Sequence, residues 1–194
     1  TTNFNGEGLG RLTDTVEDVL VTENTTGFFE LEMVYLLDAE LSAYIIEGNF
    51  IYSNTSERDS DMLKFTIYSV EPDYTEGLLY VNARLTLLDI FMKSVVPEGV
   101  YNTTGSHNVL NNLKTHIYPT YNFTITGSDN LKFYLEHEET TIYDIIYGTN
   151  GLVEQTGITL RFSDNGIQVT STRGDQQPVE ITERDFLEQF KIKE

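Results

Sequence analysis

The chain has 194 residues, 39% hydrophobic and 12% aromatic, and its 12 Lys and Arg against 31 Asp and Glu give a formal net charge of −19. That length supports one large domain or two small ones with a true core, and the apolar content is too high for disorder to be the default. So acidic a surface repels nucleic-acid phosphates and anionic membranes. The absence of cysteine excludes disulfide scaffolds, zinc–cysteine sites and cysteine nucleophiles.

No apolar run approaches the roughly 18–20 residues of a membrane span, and no signal-peptide pattern opens the chain, so a soluble acidic protein is expected. Residues 1–14 are rich in Gly, Asn and Thr, with only Phe4, Leu9 and Leu12 to bury, and read as an arm. Val16, Val19, Leu20 and Val21 mark a first strand over 16–22. Asn24 to Gly27 supply turn chemistry, with Gly27 free to take positive φ. From Phe29 to Tyr35, apolar Phe29, Leu31, Met33 and Tyr35 alternate with Glu30, Glu32 and Val34, the period of a half-buried strand. Asp38 reads as the N-cap of a short helix striped by Leu41, Tyr44 and Ile45, and Gly48 as its left-handed cap.

A strand over Asn49–Ser53 and a polar loop over Asn54–Asp61 follow. Leu63, Phe65, Ile67 and Ser69 alternate in one strand and Leu79, Val81 and Ala83 in the next, with Pro72 to Gly77 turning the chain between them as a hairpin. Leu85 to Met92 reads as a short helix. Val95-Val96-Pro97-Glu98-Gly99 is the best internal boundary, followed by a polar segment from Asn102 to Gly105. Ser106 is read as the cap of a helix carrying Val109, Leu110, Leu113 and Ile117. Tyr121, Phe123 and Ile125 alternate as a strand, and Lys132 to His137 reads as another. Ile142, Ile145, Ile146, Thr149, Leu152 and Val153 follow one helical stripe. Ile158–Phe162 and Ile167–Ser171 flank Ser163-Asp164-Asn165-Gly166, the clearest hairpin signal in the chain.

Three segments together carry a resemblance. Over 21–51 the fitting residues include Val21, Glu23, Gly27, Phe29, Glu30, Leu31, Glu32, Tyr35, Asp38, Leu41, Ile46, Gly48, Asn49 and Ile51. Lys64-Phe65-Thr66-Ile67-Tyr68 and Val81-Asn82-Ala83-Arg84-Leu85 through Asp89-Ile90 continue it, and Arg173-Gly174, Val179-Glu180-Ile181 and Asp185-Phe186-Leu187 close it. The chain resembles the N-terminal baseplate hub region of the siphophage tail-associated lysin, or prophage endopeptidase tail, family (phage minor structural proteins). Leu36 stands where that family often has proline, Thr66 replaces its usual arginine and Leu85 its usual histidine.

The resemblance implies an α+β, mainly β fold of antiparallel β-barrel-like domains with short helices, hub-like. A first hub barrel is expected over 1–97, and a second α+β hub domain over 98–194 that continues beyond this chain. It implies a virion protein of the tail tip or baseplate: a homotrimer presenting a pseudo-sixfold face to the distal tail protein hexamer. The tape measure protein and tail tube lie above it, receptor-binding or fibre proteins and lytic parts beyond. Genome DNA passes through without specific binding, and no membrane partner is expected. Peptidoglycan cleavage lies in downstream domains, so the chain itself is not expected to be an enzyme.

Residue chemistry points the same way. Catalytic, cofactor-binding and metal sites are each expected to be none, with no cofactor. Glu136-His137-Glu138-Glu139 suggests a metal cluster, but a strand places His137 opposite Glu136 and Glu138, and a solvated acidic turn is the better reading. Gly105-Ser106-His107 sets hydroxyl beside imidazole without a convergent carboxylate. Asp59-Ser60-Asp61 lacks the glycine and distal Glu of an EF-hand. Arg173-Gly174-Asp175 spells an adhesion tripeptide, though the resemblance already accounts for Arg-Gly. Four sequons, at Asn24, Asn54, Asn102 and Asn122, read as coincidence in a chain rich in Asn and Thr. Tyr52, Tyr74, Tyr101, Tyr118 and Tyr143 fall at loops, edges or polar faces, which suits either subunit interfaces or half-burial under loops. The alternatives are a stand-alone β-rich carbohydrate- or receptor-binding module and a metal-dependent hydrolase domain.

Overall fold

The computed structural model describes residues 12, 15–54, 62–118, 121–163 and 166–170. Asp59-Ser60-Asp61, the Asp164-Asn165 turn, the Arg-Gly-Asp tripeptide and the segment 179–187 lie outside the described residues. The fold is mainly β with short helices, and the chain divides into two compact units. One holds Phe29–Thr86 and the strand before it as far as Glu23. The other holds the described residues from Leu87 to Thr170 together with the turn Asn24–Phe28.

The first unit is built on a curled antiparallel sheet, an open half-barrel, of β1 (Val16–Glu23), β2 (Phe29–Leu36), β3 (Phe50–Asn54), β4 (Met62–Asp73) and β5 (Leu78–Leu85), in the order β1-β2-β5-β4-β3. Alternation fixes the register. Val21, Leu31, Ala83 and Ile67 lie in one row across four strands and all are buried, as Met33 and Val81 are in the next. Phe65, fully buried, meets Phe29 edge to face at 5.6 Å. The β4–β5 hairpin turns through Asp73, whose Oδ1 accepts from the backbone N–H of Thr75 and Glu76, and Gly77 takes φ 73°.

Between β2 and β3 the expected helix shrinks to a single 3₁₀ turn, Ser42–Tyr44. Asp38 does not cap it, because the chain turns at Leu36–Ala39 before any helix begins and the flanking residue is Leu41. Gly48 does take positive φ (87°), but its N–H donates to Ile67 of β4 and so ends a connection between strands.

The second unit carries all but the first residue of α1 (Thr86–Lys93), then β6 (Val95–Val96), β7 (Gly99–Thr104), α2 (Ser106–Leu113), β8 (Thr124–Thr126) and β9 (Lys132–His137). It ends with β10 (Thr140–Thr141), α3 (Ile142–Tyr147), α4 (Leu152–Thr156), β11 (Thr159–Ser163) and β12 (Gly166–Thr170). The expected hairpin is β11–β12, and β8 adds to β12 in parallel. Its core gathers Val109, Leu113, Phe133, Ile142, Ile145, Ile146 and Leu152, each at most 1% exposed.

Two expectations fail here for local reasons. The polar segment expected from Asn102 to Gly105 falls largely in β7, which starts at Gly99 and pairs with β9 from Gly99↔His137 to Thr104↔Lys132. The single helix expected over 142–153 breaks at Gly148. A Cβ there would lie 2.4 Å from the Asp144 carbonyl oxygen, and one at Gly151 2.7 Å from that of Gly148, so the backbone folds tightly between α3 and α4.

Candidate functional site

Two constellations stand out among the described residues. The first lies on the face of the five-stranded sheet opposite its apolar core. Thr22, Glu30, Arg84, Thr66 and Phe50 are aligned by register across all five strands. Glu30, only 8% exposed, accepts from Arg84 Nε at 3.0 Å and from Nη2 at 2.7 Å, both through Oε1. Its Oε2 accepts from the Tyr68 hydroxyl at 2.9 Å. The Arg84 guanidinium sits 4.6 Å from the Tyr68 ring centroid. Burial, then the Glu30 bond and charge, push the Tyr68 phenol above its ordinary pKa. Beside this row the Thr66 hydroxyl donates to that of Thr86 at 3.0 Å. The Glu30 carboxylate has donors on both oxygens and no open approach for a reacting group, so the cluster locks strands together.

The second is an open groove of about 440 Å³ in the second unit, between β7 and α2. Alternation sends Tyr101 and Thr103 of β7 and Phe133, Leu135 and His137 of β9 to the α2 side, while Val100, Asn102, Lys132, Tyr134 and Glu136 are exposed on the other. Tyr101 stacks on His137 at 5.5 Å and 21°. Its hydroxyl donates to Asn112 Oδ1 at 3.1 Å, and burial raises its pKa. Gly99 faces His137: a Cβ there would stand 3.7 Å from Nε2, in ordinary van der Waals contact. Val96 and Val109, both buried, supply apolar walls.

The residues weighed from sequence fall as follows. His137 and Glu136 do occupy opposite faces of β9, and His137 Nδ1 lies 2.7 Å from the backbone oxygen of Glu138, away from any carboxylate. Among the described residues no three His, Asp or Glu gather closely enough to hold a metal ion. Ser106 does not cap α2. Gly105 precedes the helix at φ 88°, and the carboxylate of Asp129, 23 residues on, accepts the Ser106 N–H at 3.1 Å through each oxygen. Ser106 Oγ and His107 Nδ1 are buried with no hydrogen-bond partner, and Ser106 is 1% exposed, closed to any substrate. Asn24 serves its own turn, its Oδ1 accepting from Thr26 N–H, Thr26 Oγ and Phe28 N–H. Tyr74 and Tyr118 are each 81% exposed, Tyr52 37%, and Tyr101 is half-buried in the groove. No helix among the described residues is long and apolar enough to cross a membrane.

The groove was not legible as a site, since its walls come from separated segments. One signal was present: between Glu98 and Asp129 this very acidic chain holds no Asp or Glu.

No protein-family model matches the chain, and no curated protein does. Among solved structures, the tail protein from Neisseria meningitidis MC58 matches over 85% of this chain and 49% of its own, with a TM-score of 0.58 at 13% identity. The prophage tail protein gp18 from Listeria monocytogenes EGD-e matches over 81% of this chain and 44% of its own, with a TM-score of 0.52 at 11% identity. The chain therefore spans about half the length of these structures and shares their fold.

Proposed function

We propose that this chain is a structural component of a phage tail, the hub of the tail tip or baseplate. The observation that carries the reading is the shared fold with two tail proteins along most of the chain. It joins the residue pattern around Glu30, Arg84 and the first five strands that resembles the tail-associated lysin family. In this reading three copies form a ring beneath the distal tail protein hexamer, with the tape measure protein and tail tube above and receptor-binding or lytic parts below. The chain acts as a wall and an anchor, and performs no catalysis of its own.

A net charge of −19 supports the further point that the ring's bore repels DNA phosphates and lets the genome slide. Mapping the charges of the bore tests this, and a lining dominated by Lys and Arg contradicts it. Light scattering on the purified chain tests the assembly. A mass of three times 22.1 kDa is expected, whereas a monomer at every concentration contradicts the ring and favours a stand-alone binding module.

A further inference from the structure

We propose that the groove between β7 and α2 binds a neutral saccharide. This goes beyond the structural role and is independent of it, so either can fail alone. The volume, about 440 Å³, falls within the range of small-molecule sites, roughly 300–1,000 Å³.

The argument rests on which polar atoms the fold leaves free. His137 Nδ1 faces a carbonyl oxygen, which can only accept, so Nδ1 carries a proton and donates, and Nε2 lies at the Gly99 end of the groove. Asn112 receives the Tyr101 hydroxyl on Oδ1, which leaves its Nδ2 hydrogens as donors. Asn108 spends Nδ2 on the Thr104 carbonyl at 2.8 Å, which leaves Oδ1 as an acceptor. Asn108 and Asn112 stand one turn apart on α2, about 5–6 Å between Cβ atoms, the span of one hexose ring. A donor and an acceptor thus stand side by side along the groove, as vicinal hydroxyls do.

Charge excludes the competitors. No Lys or Arg lines the groove and Glu98 is its only carboxylate, so neither a phosphate nor an acidic sugar finds a fixed countercharge. Tyr101 and His137 cover each other's faces, so recognition falls to hydroxyl bonding more than to stacking.

The test is a titration of the isotopically labelled full chain with glucose, galactose, N-acetylglucosamine and maltose, followed by amide chemical shifts. At least one sugar is expected to shift the side-chain amides of Asn108 and Asn112 saturably. Asn112→Ala, and separately Gly99→Leu, which adds bulk at that end, should each weaken binding at least tenfold while the remaining spectrum stays native. Asn108→Ala, at an exposed helix position, stands in for either variant if it fails to fold. Absence of any saturable shift, unchanged affinity in the folded variants, or glucuronate binding more tightly than glucose would each overturn the proposal.

Discussion

Glu30 and Arg84 are 54 residues apart in sequence and stand directly opposite each other on β2 and β5, guanidinium to carboxylate at 2.7 Å. Both belong to the residue pattern that gives the sequence its family resemblance, and the sheet register explains why they occur together. With Glu30 nearly buried, the pair differs from the exposed ion pairs that contribute little.

Arg84→Ala leaves Glu30, among the described residues, with the side-chain donor Tyr68 in a half-dry setting. A loss of about 2–3 kcal/mol is expected, short of a fully buried pair because Arg84 keeps 24% side-chain exposure. Arg84→Lys keeps the charge but not the paired N–H bonds, and should cost about 1 kcal/mol. Urea unfolding measures both. A loss below about 0.5 kcal/mol for Arg84→Ala would place the pair with ordinary surface bridges.

The raised pKa of Tyr68 carries a pH signature. Its folded-state pKa lies above the ordinary 10.0, so the folded protein holds that proton where the unfolded chain releases it. The stabilisation is therefore complete below pH 10 and is lost as pH rises from there through the folded value. Tyr68→Phe removes the hydroxyl and should flatten that part of the alkaline stability curve, though Tyr80 and Tyr101, also raised, keep some slope. An identical alkaline limb in wild type and Tyr68→Phe, followed by thermal unfolding across pH 9–11, contradicts the assignment.

Gly27 and Gly48 have nearly the same backbone, φ 89° and 87°, but different surroundings. A Cβ on Gly48 meets nothing within 4 Å, whereas on Gly27 it would sit 2.6 Å from the Tyr147 ring. Gly48→Ala should cost about 1–2 kcal/mol, the left-handed strain alone. Gly27→Ala should cost clearly more, and Gly27→Ala with Tyr147→Ala should show non-additive recovery in a double-mutant cycle. Equal losses for the two glycines would mean that Tyr147 yields freely.

How much could be read from the letters depended on whether the signal was periodic and local. β2 and β5 were legible because Leu31, Met33 and Tyr35, then Leu79, Val81 and Ala83, recur at every second position and are buried on one face of the sheet. β7 was missed because Asn102, Thr103 and Thr104 give no apolar alternation; its strand character comes from pairing with β9. The break between α3 and α4 hid behind a stripe that runs on across it. The start of α3 at Ile142 was legible from its stripe; its cap was not singled out: the Thr141 hydroxyl accepts the Asp144 N–H at 3.1 Å and donates to the Asp144 carboxylate at 2.7 Å. The cap of α2 was beyond reach, since Asp129 arrives from 23 residues away. The groove shares that difficulty, its polar atoms being selected by hydrogen bonds between distant segments.

The most direct test of the tail-hub reading is electron cryomicroscopy of the phage particle with this chain located in the density. The account predicts three copies in a closed ring at the tail tip, each with its β1-β2-β5-β4-β3 sheet in the wall of the bore. Tails that hold no copy of the chain, or single copies scattered outside the tube, would contradict it.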